Sequence, residues 1–450
     1  RPRRRPRGIG NGRHSGLPED GLDIDDKSLP ELGNIGSKSD EDLIKLATEK
    51  GVKKLPSRRT ELVMELLGMA AEETGQLVGA GVLDILHDGY GFLRTPGRQS
   101  TADDVYVSHS QIRRFGLRPG DMVAGQVRPP RDGEKYYGLL RVEVVNGLDP
   151  ERGMERPKFE KLTSVYPDKQ FITETDSKLL STRIIDIVSP IGQGQRALIV
   201  APPKAGKTML LKQIAQGIIE NSPSTFIIVA LIGERPEEVT DMRRSVKGEI
   251  YSSTFDEPVQ DHCRTAEDAV VRAKRLVETG ENVVIFLDSL TRLARAYNLA
   301  APSSGKTLSG GMDPVALYPP KQFFGAARNC EEAGSLTIIA TALVETGSRL
   351  DDLIYEEFKG TGNMELHLDR SMAERRLWPA INIERSGTRH EELLQDQNTL
   401  KQVWLLRRMM AILGNDENNG TEGVERIIER LRKTKNNKEF LDSITQPEKK

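Results

Sequence analysis

The 450-residue sequence is poor in cysteine, with Cys263 and Cys330 its two thiols. They match no zinc-ligand spacing and cannot make a disulfide framework, which excludes a small stapled scaffold and suits a reducing cytoplasm. The plain reading is two incidental thiols. No run approaches the roughly 18 apolar residues of a membrane span, so no membrane partner is expected. The amino-terminal end is arginine and proline, with no apolar stretch behind a basic patch. No secretory signal is therefore expected, and a cytoplasmic location is. Net charge is −2, so no global basic surplus announces a nucleic-acid binder. Aromatics make up 5% of the chain, which makes any local cluster of them informative.

What charge there is lies unevenly. Residues 1–13 carry Arg1, Arg3, Arg4, Arg5, Arg7 and Arg13 without an acid; Glu19, Asp20, Asp23, Asp25 and Asp26 follow. Little there could fill a core, so 1–36 reads as a disordered tail. Its arginines could hold RNA phosphates without sequence preference, a solvated tail being the equal alternative. Residues 37–75 read as a small helical module. Ser39 can cap a helix that opens on Asp40, Glu41 and Asp42 and presents Leu43, Leu46 and Ala47. A second helix, from near Ser57, presents Leu62, Leu66 and Leu67. Over 76–146 the period becomes that of strands: Val82–Leu86, Gly91–Arg94, Asp104–Val107, Met122–Val127 and Tyr136–Val144, separated by turn residues. Five short strands suit a barrel of the oligonucleotide-binding (OB) type. Residues 147–180, with Pro150, Pro157 and Pro167, read as a connector. From 181 to 435 apolar strands alternate with helices, the pattern of a parallel sheet covered on both faces. Residues 436–450 read as a tail. The fold class is thus α/β and β multidomain.

Ala201-Pro202-Pro203-Lys204-Ala205-Gly206-Lys207-Thr208 follows the apolar strand Arg196–Val200 and opens a helix at Met209. That is the context of a Walker A loop, where backbone N–H groups at a helix start wrap phosphates. Lys207 would neutralise the β and γ phosphates and Thr208 would offer its hydroxyl to magnesium. Ala201 stands where glycine is usual. Val283–Asp288, an apolar strand ending in a carboxylate, has the form of Walker B, with Asp288 holding magnesium through water. Glu234, at the end of the strand Thr225–Ile232, can polarise an attacking water or be a plain surface carboxylate; spacing alone leaves both open. Arg389, in Ser386-Gly387-Thr388-Arg389, can be a surface residue or an arginine that reaches a neighbour's γ-phosphate.

In Asp88-Gly89-Tyr90-Gly91-Phe92-Leu93-Arg94, alternation puts Tyr90, Phe92 and Arg94 on one face. Bases stack on such aromatics, and glycines around Tyr90 favour an exposed platform over a core role. Tyr136 and Tyr137 could extend it. The loops Pro302–Gly311 and Glu345–Arg349 offer glycine, hydroxyls and a cation each, which suits phosphate tracking, though by themselves they read more readily as plain surface loops. Gly305-Lys306-Thr307 mimics a Walker A tail without strand or helix, so it is not expected to be a second phosphate site.

Taken together, Asp88–Arg94, Ile112-Arg113-Arg114-Phe115, Arg156-Pro157, Leu198–Thr208, Glu234-Arg235-Pro236-Glu237-Glu238-Val239-Thr240 and Ser386–Leu394 resemble the bacterial transcription termination factor Rho family. The resemblance runs from about residue 39 to about 435. It implies a RecA-type P-loop ATPase domain in a homohexameric ring. Such a ring loads on C-rich single-stranded RNA of the nascent transcript, moves 5′ to 3′ on ATP and magnesium, and dislodges RNA polymerase; elongation factors would be further partners. It implies a primary RNA site at Tyr90, Phe92, Arg94 and Tyr136. It implies ATP contacts at Lys204, Ala205, Gly206, Lys207 and Thr208, and an adenine sandwich of Met209 and Trp378. Glu234 would be the catalytic base, Asp288 the Walker B acid and Arg389 the arginine finger, with Arg235 and Arg376 near the same interface. Lys306 would lie in a Q loop, and Thr346, Gly347 and Arg349 in an R loop, both facing RNA. The chain departs from the family's pattern at Arg349 (usually Lys), Trp378 (usually Phe) and Gly233 (commonly Asp). Two other classes remain to be separated: a rotary or secretion-type ATPase, which shares the Gly-Glu-Arg segment, and a passive RNA-binding protein.

Overall fold

The computed structural model describes residues 33–97, 101–302, 304–414 and 420–445, with Leu17 alone before them. The arginine cluster and acidic run of the expected tail lie outside the described residues. The chain forms two compact units, Arg1–Glu155 and Arg156–Lys450.

In the first unit the helices Asp40–Glu49 and Arg59–Thr74 form as the sequence implies. The Ser39 hydroxyl accepts the Asp42 N–H at 3.2 Å, and Gly75 ends the second helix in the left-handed conformation. That helix starts at Arg59, near the expected Ser57, without a side-chain cap. Five strands, β1 (Val78–Ile85), β2 (Gly91–Arg94), β3 (Val105–Val107), β4 (Met122–Arg128) and β5 (Tyr137–Val145), close a barrel in the order β1-β2-β3-β5-β4. Its interior is Leu83, Leu93, Val105, Val107, Val123, Val127 and Val142 with their neighbours. Gly125 sits at a register shift against β5, where a Cβ would come within 1.9 Å of the Arg141 carbonyl oxygen, so only glycine passes. The helices lay Leu43, Leu62, Val63, Leu66 and Leu67 against Ala124 and Val144 of the barrel. Ile35, expected in the tail, joins that cluster and is buried.

In the second unit the strands are β6 (Ser164–Val165), β7 (Gln170–Phe171), β8 (Ile191–Gly192), β9 (Arg196–Ala201), β10 (Phe226–Glu234), β11 (Glu249–Thr254), β12 (Val283–Asp288), β13 (Arg328–Cys330), β14 (Ser335–Leu343), β15 (Met364–Leu368) and β16 (Ile381–Thr388). The main sheet runs β11-β10-β12-β14-β9-β15-β16, all parallel but β16. Every residue of β10 and β12 is buried, as a sheet covered on both faces requires. Two separate cores fill those faces, one around Ile199, Val229 and Phe286, the other around Leu198, Ile228 and Leu287. Parallel strands put every carboxyl end on one side, where a ligand site forms.

Two expected boundaries differ. The 147–180 stretch is not a bare connector. Pro150–Glu155 is a helix of the first unit, β6 pairs with β13 and β7 with β8. Residues 436–450 are not wholly a tail either. Asn437–Thr445 is a helix whose Phe440 and Leu441 are buried in the core of the second unit. Both segments carry too few apolar residues for periodicity to mark them, and distant partners hold them in place.

A phosphate-binding loop and an aromatic barrel face

The loop Pro202–Gly206 leaves the carboxyl end of β9, and the helix Lys207–Asn221 begins at once. Lys204 (φ 67°) and Gly206 (φ 87°) are left-handed, which curls the backbone back on itself. A Cβ at Gly206 would lie 2.9 Å from the Trp378 ring, so the glycine is what lets the indole close over the loop. Lys207 Nζ is ion-paired with Asp288 and lies 3.7 Å from Glu234 Oε2. Asp288 ends β12 and Glu234 ends β10, its neighbour, so parallel pairing alone brings the two carboxylates together. The Thr208 hydroxyl donates to Glu238 at 3.2 Å. Ala205 is buried beneath the loop.

Sequence reasoning missed two supports of this site. Thr341 of β14 donates its hydroxyl to Asp288 Oδ1 at 2.9 Å. A buried threonine near the carboxyl end of β14 was its signal. Arg292 pairs with Glu234 Oε1 at 3.2 Å and donates to the Gly233 carbonyl. It lies in the first turn of the helix Leu290–Ala300, which follows Asp288 directly. Burial, then the Asp288 charge, push the Glu234 carboxyl above its usual range, while Lys207 and Arg292 pull it back. A carboxylate held this way can take a proton from water, which a salt-bridged surface glutamate does poorly.

Beside the loop lies a cavity of about 690 Å³ lined by Ser177–Ser181, Gly206, Met209, Gln213, Trp378, Pro379 and Arg432 among others. Met209 is 60% exposed and Trp378 40% exposed, so both apolar groups are left facing open space. Met209 and Trp378, expected to sandwich adenine, line this one cavity. Its walls at 177–181 and Arg432 come from distant segments that no local pattern marks. Arg235 is exposed and 3.7 Å from Glu238. Arg376 is exposed, left-handed (φ 63°) and outside this cavity's lining.

Arg389 follows β16 and sits elsewhere. Its N–H donates to the Asn363 carbonyl at 2.8 Å, and Asn363 Oδ1 accepts the Arg196 N–H at 2.8 Å. Arg196 begins β9 and Ala201 ends it. The arginine is therefore anchored about one strand length, roughly 16 Å, from the phosphate loop of its own chain. Among the described residues no hydrogen bond or ion pair engages its guanidinium, nor the terminal cations of Lys204, Lys306, Arg349 and Arg376.

The loops around Lys306 and Arg349 touch. Gly310 is left-handed (φ 77°), and a Cβ there would lie 2.8 Å from the Leu350 nitrogen. Thr346 donates to Asp351 at 2.6 Å, and Arg295 grips the same carboxylate at 2.8 and 2.6 Å. Lys306, Thr346, Gly347 and Arg349 are all exposed. Gly305-Lys306-Thr307 opens no helix and follows no strand, as expected.

On the barrel, Tyr90, Phe92, Tyr106 and Tyr136 form one aromatic cluster outside the barrel core. Tyr137 turns the other way and packs on that core. Phe92, expected to be an exposed platform, is 5% exposed. Its ring lies 4.8 Å from that of Tyr136 and 6.0 Å from that of Tyr106, which β3 sets opposite it in register. Tyr106 was missed because its significance comes from pairing, not from its own strand. Phe92 is thus the floor of the cluster, and half-buried Tyr90 and Tyr136 are its surface. Arg94 lies 5.7 Å from the Phe92 ring centre and is ion-paired with Asp84 and with Asp104, the latter at 3.1 Å. Its charge is largely spent within the barrel. Lys135 stands 5.1 Å over Tyr136.

These features define a class: a P-loop ATPase on a parallel sheet, joined in one chain to a small barrel with an aromatic nucleic-acid-type face. The family model "Rho termination factor, RNA-binding domain" matches residues 79–151, and "ATP synthase alpha/beta family, nucleotide-binding domain" matches residues 181–388. The transcription termination factor Rho of Bacillus subtilis is 57% identical over 389 residues, covering 86% of this chain and 90% of that protein. The transcription termination factor Rho of Pseudomonas fluorescens is 52% identical over 419 residues, covering 92% and 99%. The chain belongs to the transcription termination factor Rho family. Among solved structures, an ATPase from the type III secretion system of pathogenic bacteria shares the fold at 24% identity. Its TM-score is 0.53, over 63% of this chain and 86% of that one. Among the described residues no helix is long and apolar enough to cross a membrane.

Proposed function

We propose that this chain works as a homohexameric ring that binds C-rich nascent RNA and hydrolyses ATP to move 5′ to 3′ toward RNA polymerase, ending transcription. Its enzyme class is that of an RNA-dependent ATPase. The observation that carries the reading is the convergence of Lys207, Asp288 and Glu234 at the carboxyl ends of neighbouring strands, in a chain that also bears the Tyr90–Phe92–Tyr106–Tyr136 cluster.

The base stacks between Met209 and Trp378, and the phosphates follow the N–H groups of the loop to Lys207. Glu234 orients and deprotonates the attacking water, and Arg292 keeps its carboxylate aimed. Glu234 Oε2 and Asp288 Oδ2 are buried without a hydrogen-bond partner, in the two carboxylates that share Lys207. That donor set fits magnesium, which Asp288 and Thr208 would hold beside the phosphates. Among the described residues no three acidic, histidine or cysteine side chains form a metal cage, so the nucleotide must supply ligands. Magnesium would neutralise charge developing on the phosphoryl oxygens. Arg389, distant from its own loop, serves the nucleotide of the adjacent subunit, with Arg235 and Arg376 nearby. Lys306, Thr346, Gly347 and Arg349 track RNA in the ring's channel, and the cytoplasm is the site of action.

Hydrolysis measured with and without poly(C) tests the whole. Stimulation by the polymer is expected. Equal rates would favour the secretion-type reading, and no hydrolysis a passive binder. On the RNA side, Tyr90→Ala and Tyr136→Ala are each expected to weaken poly(C) binding by about 1–3 kcal/mol, the worth of one stacked base. Binding equal to the parent in both variants would remove the aromatic cluster from the RNA site.

A further inference from the structure

We infer that Tyr166 is a positioning residue for Arg389, acting through the ring of His390. The inference rests on the proposed role of Arg389 at a neighbouring nucleotide.

Among the described residues no partner of its own chain holds the Arg389 guanidinium, so it must be kept steady through its backbone. Before the side chain the backbone is held by its own N–H bond to Asn363, next to Thr388, which pairs with Met364 and donates to the Pro190 carbonyl at 2.8 Å. The next residue, His390, is left-handed (φ 56°), which turns the loop sharply just past the arginine. The His390 ring rests on Tyr166, with centroids 4.7 Å apart, and its Nδ1 lies 3.0 Å from Glu392 Oε1. The loop is thus pinned on the far side of Arg389 by an aromatic contact.

Tyr166 itself belongs to a strap that is tied down at several points. β6, just before it, pairs with β13. The Glu331 N–H donates to the Thr163 carbonyl at 3.1 Å, and the Thr163 N–H donates to Glu332 at 2.9 Å. Asn329 reaches Asp168 at 3.1 Å. One residue past Tyr166, the side chains of Pro167 and Leu394 both crowd the place where a Cβ of Gly192 would stand. A Cβ on that glycine would lie 2.6 Å from Pro167 and 2.8 Å from Leu394. Strap and finger loop therefore share two contacts, the ring pair and the glycine seat.

Tyr166 is 65% exposed. An aromatic that open adds little to a core, so its place on His390 is not explained by packing alone. What it can do is narrow the range of the loop that carries Arg389. Misplacement of a catalytic group by about 1 Å can cost up to about a hundredfold in rate.

The test uses the full chain with poly(C) and steady-state ATP hydrolysis. Tyr166→Ala is expected to lower kcat by about tenfold or more with little change in KM for ATP, because the base pocket and loop are untouched. Tyr166→Phe keeps the stack and should keep kcat. In an Arg389→Ala background, Tyr166→Ala should cost nothing further, since the group it positions is gone. Unfolding midpoints of the variants should match the parent. A parental kcat in Tyr166→Ala, a loss in Tyr166→Phe as large as in Tyr166→Ala, or a loss that multiplies onto that of Arg389→Ala would each overturn the inference. If Arg389→Ala alone hydrolyses ATP like the parent, it is the ring reading of Arg389 that fails.

Discussion

Lys207→Ala is expected to take ATP hydrolysis to background at every RNA concentration, while poly(C) still binds. The lysine is the cation shared by Asp288 and Glu234, both nearly fully buried. Without it the loop still offers backbone N–H groups, but nothing neutralises the terminal phosphate charge beside two carboxylates. An incoming triphosphate would then meet like charge in a water-poor site, where repulsion is stronger than in bulk. Folding should survive. Glu234 keeps Arg292, and its raised pKa lets it take a proton instead of standing charged. The RNA site has its own core and its own aromatic cluster within the first unit. Hydrolysis assays and RNA binding on one preparation decide the matter. Residual RNA-stimulated turnover, or a parallel loss of RNA binding, would mean that the two sites are wrongly assigned.

How much of this was legible in the sequence varied with the range of the interaction concerned. The phosphate loop was fully legible because its logic is local: strand, left-handed curl, helix, with Gly206-Lys207-Thr208 at the junction. Asp288 was legible for the same reason, as the last residue of an apolar strand. Glu234 stayed ambiguous because its role depends on Asp288 in the neighbouring strand and on Arg292. Neither is near it in the chain. β11 and β16 escaped notice. The first is an edge strand ending in Ser252-Ser253-Thr254, and the second reads Ile381-Asn382-Ile383-Glu384-Arg385, both too polar to announce a strand. Phe92 shows the limit most clearly. Alternation placed it correctly on the outer face with Tyr90. Its burial is set by Tyr106 and Tyr136, which only the barrel's closure brings over it. Arg389 had no local signal to separate a surface residue from an arginine aimed at a neighbour's phosphate, and the family resemblance alone favoured the second. The fold adds a physical reason, its anchorage to the opposite end of β9 from the phosphate loop.

That anchorage leads to the second large effect. Arg389→Ala is expected to lower RNA-stimulated kcat by about 10³–10⁵-fold, the range for an arginine that meets phosphoryl charge as it develops. The effect should fall on kcat and not on ATP affinity. The base cavity is formed by Met209, Trp378 and the 177–181 wall of the same subunit, and Arg389 touches none of them. Arg389→Lys should recover little, because a point charge cannot reproduce a planar fork. The decisive measurement mixes subunits. Arg389→Ala chains keep an intact phosphate loop, and Lys207→Ala chains keep an intact arginine. If the arginine serves the adjacent subunit, mixed rings contain junctions where a good loop meets a good arginine, and turnover returns. If it served its own chain, every subunit in the mixture would lack one group or the other. Activity restored by mixing two inactive proteins is therefore the expected result, and a mixture as inactive as its parts would return Arg389 to the surface residues.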